Sequence, residues 1–342
     1  MTLELHHGAS LRRLNTFGVD AQAQMLAEVR STDDLPALFD AIAGTDTPWL
    51  ALGEGSNLLL VDDFPGIVVR PLLAGIEIVG TNDNGARVRA GAGENWHRLV
   101  EWALDQDLCG LENLALIPGT VGAAPVQNIG AYGVELDRCI AAVEAFDVKA
   151  GELVRLPPER CGFAYRDSRF KREPGRWLIT AVEFDLLRDG DLTLDYAGLG
   201  DELVASGVLH PDARAVFDAV CALRRRKLPD PAVIGNAGSF FKNPLVPETQ
   251  AAFIRDHHPA MPAWPGPDGR VKLSAAWLIE HSGLKGYRDG DAGVSDRHAL
   301  VLVNHGAATG RDLLTVAHHV RDTVEARFGV QLEPEPRILV FT

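Results

Sequence analysis

Residues 118–133 read PGTVGAAPVQNIGAYG, and the fold turns on how that stretch is read. Gly119, Gly122, Gly130 and Gly133, with Ala123, Ala124 and Ala131 between them, leave a backbone that a bulky anion can approach closely, its N–H groups free to meet phosphate oxygens. A shorter stretch of the same character, GEGSN at 53–57, lies between the apolar runs WLAL and LLLV. No GK[ST] follows either one, so neither is a P-loop. The long loop does not join a first strand to its helix, so the Rossmann fingerprint does not fit either. A lone glycine pattern would be an ordinary turn; two such loops together predict a phosphate cradle.

Around these loops the apolar spacing alternates between strand and helix. LAEV at 26–29 precedes a helix opened by Ser31 with Leu35, Leu38, Phe39 and Ile42 on one face, and WLAL at 49–52 completes a β-α-β beginning. ARVRAGAG is followed by a helix carrying Trp96, Leu99, Val100, Ala103 and Leu104. Beyond the long loop, AAVEAFDV and WLITAVEFDLL read as antiparallel strands, the first turning back through AGE. Periodicity weakens over 188–212, a helix is predicted at about 211–227, and a second at 310–328 places Leu313, Val316, Ala317, Val320, Val324 and Phe328 on one stripe. The chain finishes as QLEPEPRILVFT, a short strand entered through two prolines.

Bulk properties limit what the chain does. At 342 residues two or three domains are expected. A net charge of −14 argues against nucleic acid as a partner, so any anionic ligand must be held by local cations. No apolar run is long enough for a bilayer, and the N-terminus lacks the features of a secretory signal, so a cytoplasmic protein is expected. Cys109, Cys139, Cys161 and Cys221 are scattered, which predicts reduced thiols and no zinc site. His257-His258 and His318-His319 have no metal-ligand spacing and are read as surface.

Several residues offer chemistry, each with a plain alternative. GNAGSFFKNP at 235–244 predicts a tight turn in which Phe240 and Phe241 press Ser239 against an apolar wall. Arg166 lies in YRDSRFK, where a mixed-charge stretch is more often solvated. Arg224, Arg225, Arg226 and Lys227 end a helix, where the dipole alone favours cations. Glu333 and Glu335 sit two apart on an expected extended segment, so only one can face a site. Tyr196 is either packing or a turn residue, and Asn243 before Pro244 either shapes a turn or binds.

GEGSNLL, PGTVGAAPVQNIGAYG, FAYRDSRFK, RRRKLPDP, GNAGSFFKNP, AAWLIE and LEPEPR occur in one order, and together they resemble the UDP-N-acetylenolpyruvoylglucosamine reductase family, type I branch, over nearly the whole chain. The resemblance implies an α/β fold: an FAD-binding domain of the vanillyl-alcohol oxidase type in two subdomains, 1–72 and 73–205, a substrate domain at 206–330, and a C-terminal segment, 331–342, returning to the active site. It implies noncovalent FAD on Gly53, Gly55, Ser56, Asn57 and Leu58 of the first loop, and on Pro118, Gly119, Thr120, Val121, Gly122, Ala123, Gln127, Asn128, Ile129, Gly130, Ala131 and Tyr132 of the second. NADPH is implied as the hydride donor. The implied reaction reduces an enolpyruvyl ether of a UDP-sugar in peptidoglycan synthesis, with Ser239 as proton donor and Arg166 and Glu335 stabilising the enolate. Tyr196, Arg224, Lys227, Asn243, His298 and Arg337 are implied to hold the substrate, and a monomer is expected. Two positions depart from the pattern: His298 stands where a glutamine is expected, and Pro336 precedes Arg337 where a small apolar residue is usual. An FAD-linked alcohol or aldehyde oxidase and a non-catalytic nucleotide-sugar binder are the rival readings.

Overall fold

The chain divides into two compact units that interleave along the sequence. In the computed structural model, which describes residues 4–341, the first unit comprises the chain up to Ala9, Ala23–Glu54 and Pro65–Arg226. The second comprises Ser10–Gln22, Gly55–Phe64 and everything from Lys227.

The first unit is organised around the strand Trp177–Leu187, whose apolar run is buried through its first eight residues. It pairs antiparallel with Ile140–Asp147 on one side and Gly85–Gly91 on the other, and Glu152–Leu156 and Ile76–Asn82 close the edges of a five-stranded sheet. Residues two apart on a strand share a face. Arg87, Arg89, Glu183 and Asp185 therefore stand in one charged ladder, with Arg89 on Glu144 and Arg155 on Glu183 at 2.7–2.8 Å. The helices Trp96–Asp105 and Ala213–Lys227 contribute Trp96, Leu99, Val100, Val216, Val220 and Leu223 to the core that this sheet shares with the long glycine loop. A smaller sheet, ordered Glu4–Ser10, Gln22–Val29, Phe64–Pro71, Trp49–Ala51, is covered by the helix Leu35–Ala43, where Phe39 stacks on Phe146 at 5.4 Å.

The second unit holds a four-stranded antiparallel sheet ordered Gly235–Ser239, Val301–Asn304, Ala292–Val294, Arg288–Asp289. The helix Ala275–His281 packs on the helix Gly310–Phe328, and the latter lies on the sheet and is opened by a reciprocal capping box between Thr309 and Asp312. All six residues of its expected stripe are buried. Arg337–Leu339 pairs parallel with Leu58–Leu60, so the end of the chain lies against the residues that follow GEGSN.

Local structure differs from expectation in four places. The stretch 118–133 is not a plain loop: Val121–Gln127 winds into a 3-10 helix, ended by Asn128 at φ 43°, and Gly130–Ala131 turns back on Val134–Glu135. Alanine, proline and small-residue neighbours let it tighten, while Val121 N–H to Glu94 O and Gly122 N–H to Ala92 O anchor its start. GNAGS is a bulged strand rather than a tight turn, its pairing with Val301–Asn304 slipping between Asn236 and Ser239 where Gly238 adopts φ 68°. Glu335 sits in a bend, not an extended run, because its N–H is drawn to Phe240 O at 2.8 Å. His258 is half-buried, edge-on to Trp277 and Phe328, instead of lying free on the surface. The strand Glu4–Ser10 and the helix Leu199–Ala205 carry no periodicity strong enough to have been read in advance.

Candidate functional site

In the first unit Gly53 lies against the long glycine loop. A Cβ on Gly53 would lie 2.6 Å from Thr120 Oγ1, so the absent side chain is what leaves room for the threonine hydroxyl. The Thr120 hydroxyl is itself buried and has no hydrogen-bond partner among the described residues. An orphaned hydroxyl of this kind costs about 1–3 kcal/mol, a deficit that a phosphate oxygen would remove. Gly119, at φ 128°, adopts a conformation closed to other residues. Val121 and Ile129 are buried in the core, leaving only their backbones for a ligand. Gly122 is required by packing, since its Cβ would lie 2.5 Å from that of Ala92. Asn128 is fully buried and engaged with Glu135, Ala164 and Asp137, which makes it a brace of the loop.

Backbone strain gathers in the same region. Leu116, Asn128, Tyr132 and Arg166 are four of the six non-glycine residues at positive φ among those described, a clustering characteristic of functional sites. The Arg166 guanidinium donates to Gly130 O, and a Cβ at residue 130 would come within 2.7 Å of Arg166 Nη1, so Gly130 makes room for it. Lys171 Nζ donates to Arg166 O at 3.1 Å and holds the strained residue from behind. Tyr132 packs edge-to-face on Tyr196 at 4.9 Å. Burial pulls the Arg224 guanidinium below its ordinary value, and it forms no ion pair among the described residues. A half-buried cation under the electrostatic influence of Tyr132 and Tyr196 suits an anionic ligand. Asn113, which no motif flags, donates to Tyr132 O and Thr193 O, both at 2.9 Å, and so ties the glycine loop to the segment carrying Tyr196.

In the second unit Ser239 is half-buried, as expected, and pairs with Val301. Phe240 and Phe241 behind it are buried at 0% and 2% exposure, with ring centroids 5.1 Å apart. Glu335 is brought beside this pair by its N–H bond to Phe240 O and by the bridge between Phe241 and Pro334. Asn57 joins the same cluster, with its Nδ2 donating to Glu335 O at 3.5 Å and its own carbonyl accepting from Arg337 N–H at 3.0 Å. Ser56 and Leu58 flank it, and Gly55 is forced to be glycine because a Cβ would meet Leu14 O at 2.1 Å. Glu333 is drawn away to Lys242. Asn243 Oδ1 accepts from Ala275 N–H at 3.0 Å, which leaves its amide nitrogen available. His298 Nδ1 accepts from Leu300 N–H at 3.3 Å, so the neutral ring carries its proton on Nε2. Burial, aided by Lys227 and Lys285, holds His298 below the ordinary histidine value and keeps it neutral. The four cysteines are free and buried, and desolvation raises Cys139 and Cys161 to about 12, which suits packing and not nucleophilic chemistry.

Comparison with known proteins fits this geometry. Residues 230–339 match the family model "UDP-N-acetylenolpyruvoylglucosamine reductase, C-terminal domain", and residues 23–157 match an FAD binding domain. A UDP-N-acetylenolpyruvoylglucosamine reductase of Chromobacterium violaceum is 53% identical over 99% of this chain and 100% of its own. The chain belongs to the UDP-N-acetylenolpyruvoylglucosamine reductase family. The crystal structure of the reductase from Thermus caldophilus, 28% identical, superposes with a TM-score of 0.66 over 99% of this chain and 100% of that one. A solvent-stable cholesterol oxidase, at 13% identity and TM-score 0.51 over 97% of this chain and 87% of that one, shares the fold alone. As a member of the reductase family the chain is an FAD-dependent oxidoreductase with a vanillyl-alcohol-oxidase-type flavin module and an α+β C-terminal domain. No helix among the described residues is long and apolar enough to cross a membrane.

Proposed function

We propose that the chain reduces the enolpyruvyl ether of UDP-N-acetyl-3-O-(1-carboxyvinyl)-glucosamine to UDP-N-acetylmuramate, with Ser239 donating the proton. The observation that carries the residue assignment is the fixed, half-buried Ser239 set against Phe240, with Glu335 bonded to the same backbone. Bound FAD would supply the two-electron hydride chemistry, with NADPH as the reductant. Gly53, Gly119 and Thr120 would hold the flavin phosphates, and Gly55 to Leu58 and Gly130 to Tyr132 would hold the rest of the cofactor.

Adding a hydride to C3 of the enolpyruvyl group places an electron pair on C2, conjugated with the carboxylate. Arg166, held rigid by Gly130 and Lys171, stabilises that enolate charge, and Glu335 orients the reacting end. Ser239 transfers its hydroxyl proton to C2 and is reprotonated from water, so the net change is addition of one hydride and one proton. Arg224 and Lys227 hold the diphosphate. Tyr196, Asn243, Arg337 and the Nε2–H of His298 complete the grip on the substrate. The enzyme works as a monomer in the cytoplasm.

Following NADPH absorbance with the purified yellow protein tests this reading. Consumption that requires the enolpyruvyl substrate, with one lactyl ether formed per NADPH, is the expected result. Reduction of the flavin by an alcohol without NADPH would instead indicate an oxidase, and binding of the UDP-sugar with no NADPH turnover would indicate a binder.

A further inference from the structure

The segment Leu14–Gly18, LNTFG, contains no reactive side chain, yet it is bonded to both halves of the second unit's site. Asn15, buried at 6% exposure, closes it into a stiff loop: Nδ2 donates to Leu11 O at 2.8 Å and Val19 O at 2.9 Å, and Oδ1 accepts from Val19 N–H at 3.0 Å. Thr16 N–H then donates to Gly55 O at 3.2 Å, and Thr16 O accepts from Asn236 N–H at 3.0 Å. One residue thus spans the GEGSN loop and the strand that carries Ser239. Phe17 O accepts from Asn304 Nδ2 at 3.0 Å and lies 2.2 Å from where a Cβ on Gly235 would sit, so the strand is pressed directly onto it.

The Phe17 ring meets Phe240 edge-to-face at 6.3 Å. The Phe240 backbone is held on both sides, its N–H to Leu300 O at 2.7 Å and its carbonyl by Glu335 N–H. Between these anchors the strand is weak, because the bulge at Gly238 interrupts the ladder just before Ser239. Loss of ladder bonds leaves the hydroxyl's direction to be set by packing. We infer that Thr16 and Phe17 are positioning residues that aim Ser239, fixing its strand to the GEGSN loop through backbone bonds and to the aromatic wall through the Phe17 ring. This rests on the proton-donor reading of Ser239.

Phe17→Leu and Phe17→Met keep apolar bulk and remove the ring edge. Three quantities are read on flavin-bearing protein: amide hydrogen exchange over 235–241, flavin reduction by NADPH, and reoxidation of the reduced flavin by the enolpyruvyl substrate. The expected result is faster exchange at Asn236 and Phe240 with the helix Gly310–Phe328 unaffected, NADPH reduction unchanged, and reoxidation slowed about tenfold with an enlarged solvent deuterium isotope effect. Unchanged reoxidation in both variants, equal slowing of both half-reactions, or loss of flavin in place of slowed protonation would overturn the inference. Ser239→Ala run alongside separates the two claims. If that variant reoxidises normally, the reading of Ser239 itself fails; if it is slow while both Phe17 variants are normal, only the positioning role fails.

Discussion

Arg224 and Lys227 stand three residues apart on one helix, and a helix C-terminus favours cations whether or not they bind anything. What singles out Arg224 is burial without a carboxylate partner, which pulls its guanidinium below the ordinary value. That distinction depends on burial by residues distant in sequence, with Tyr132 and Tyr196 near enough to act on it electrostatically, and so could not be read from RRRK. Arg166 was equally opaque: YRDSRFK gives no sign that its arginine adopts φ 54° or that Gly130 makes space for it. Arg224→Ala and Lys227→Ala are each expected to raise KM for the UDP-sugar about tenfold, the scale of one lost hydrogen bond to a charged group. The dependence of KM on salt should also become shallower, because one local cation is gone. Steady-state kinetics across a salt series checks both, and an unchanged KM in either variant removes that residue from the substrate site.

Elements with strong local signals were legible. The stripe of Gly310–Phe328, the helical spacing of Trp96–Asp105 and the long apolar run of Trp177–Leu187 all follow from the apolar pattern. Elements made by distant partners were not. The 3-10 turn at Val121–Gln127 depends on carbonyls of Ala92 and Glu94, and the bulge in Gly235–Ser239 depends on the strand Val301–Asn304. The role of Leu14–Gly18 is likewise invisible until Gly55 and Gly235 are folded against it. At this scale Gly53→Ala is the informative change. Its methyl would lie 2.6 Å from Thr120 Oγ1 and push that hydroxyl aside, so flavin affinity is expected to fall about tenfold, roughly 1.4 kcal/mol, while the far-UV circular dichroism stays the same. Titration of the apoprotein with FAD measures this, and undiminished affinity would remove the Gly53–Thr120 contact from the cradle.

For the whole molecule, the α/β fold read from the alternation of strand and helix agrees with what the structure and comparisons give, whereas the interleaving of its two units does not follow from that alternation. Acid should destabilise it in two stages. Burial lowers His97 and His298, so the stability they contribute is full above the unfolded value near 6.5 and is lost as pH falls through their folded values. His97 faces Glu101 on its own helix and Arg224 and Arg225 opposite, and its Nδ1 accepts Leu116 N–H, a bond that protonation breaks. Glu183 is lowered by its paired bonds to Arg155, so its contribution holds above about 4.5 and fades below. Urea midpoints measured from pH 8 to 4 should first decline below about 6.5 and decline again below about 4.5. His97→Asn with His298→Gln should remove the first decline; a first decline of unchanged size in that double variant would contradict the assignment.

The account stands most directly on the proton. Stopped-flow comparison of the two half-reactions in Ser239→Ala measures it. Flavin reduction by NADPH is predicted to stay near the wild-type rate, while reoxidation by the enolpyruvyl substrate falls at least about a hundredfold, the contribution of a positioned general acid. Reoxidation at the wild-type rate, or the same loss in both half-reactions, would contradict the claim that Ser239 delivers the proton.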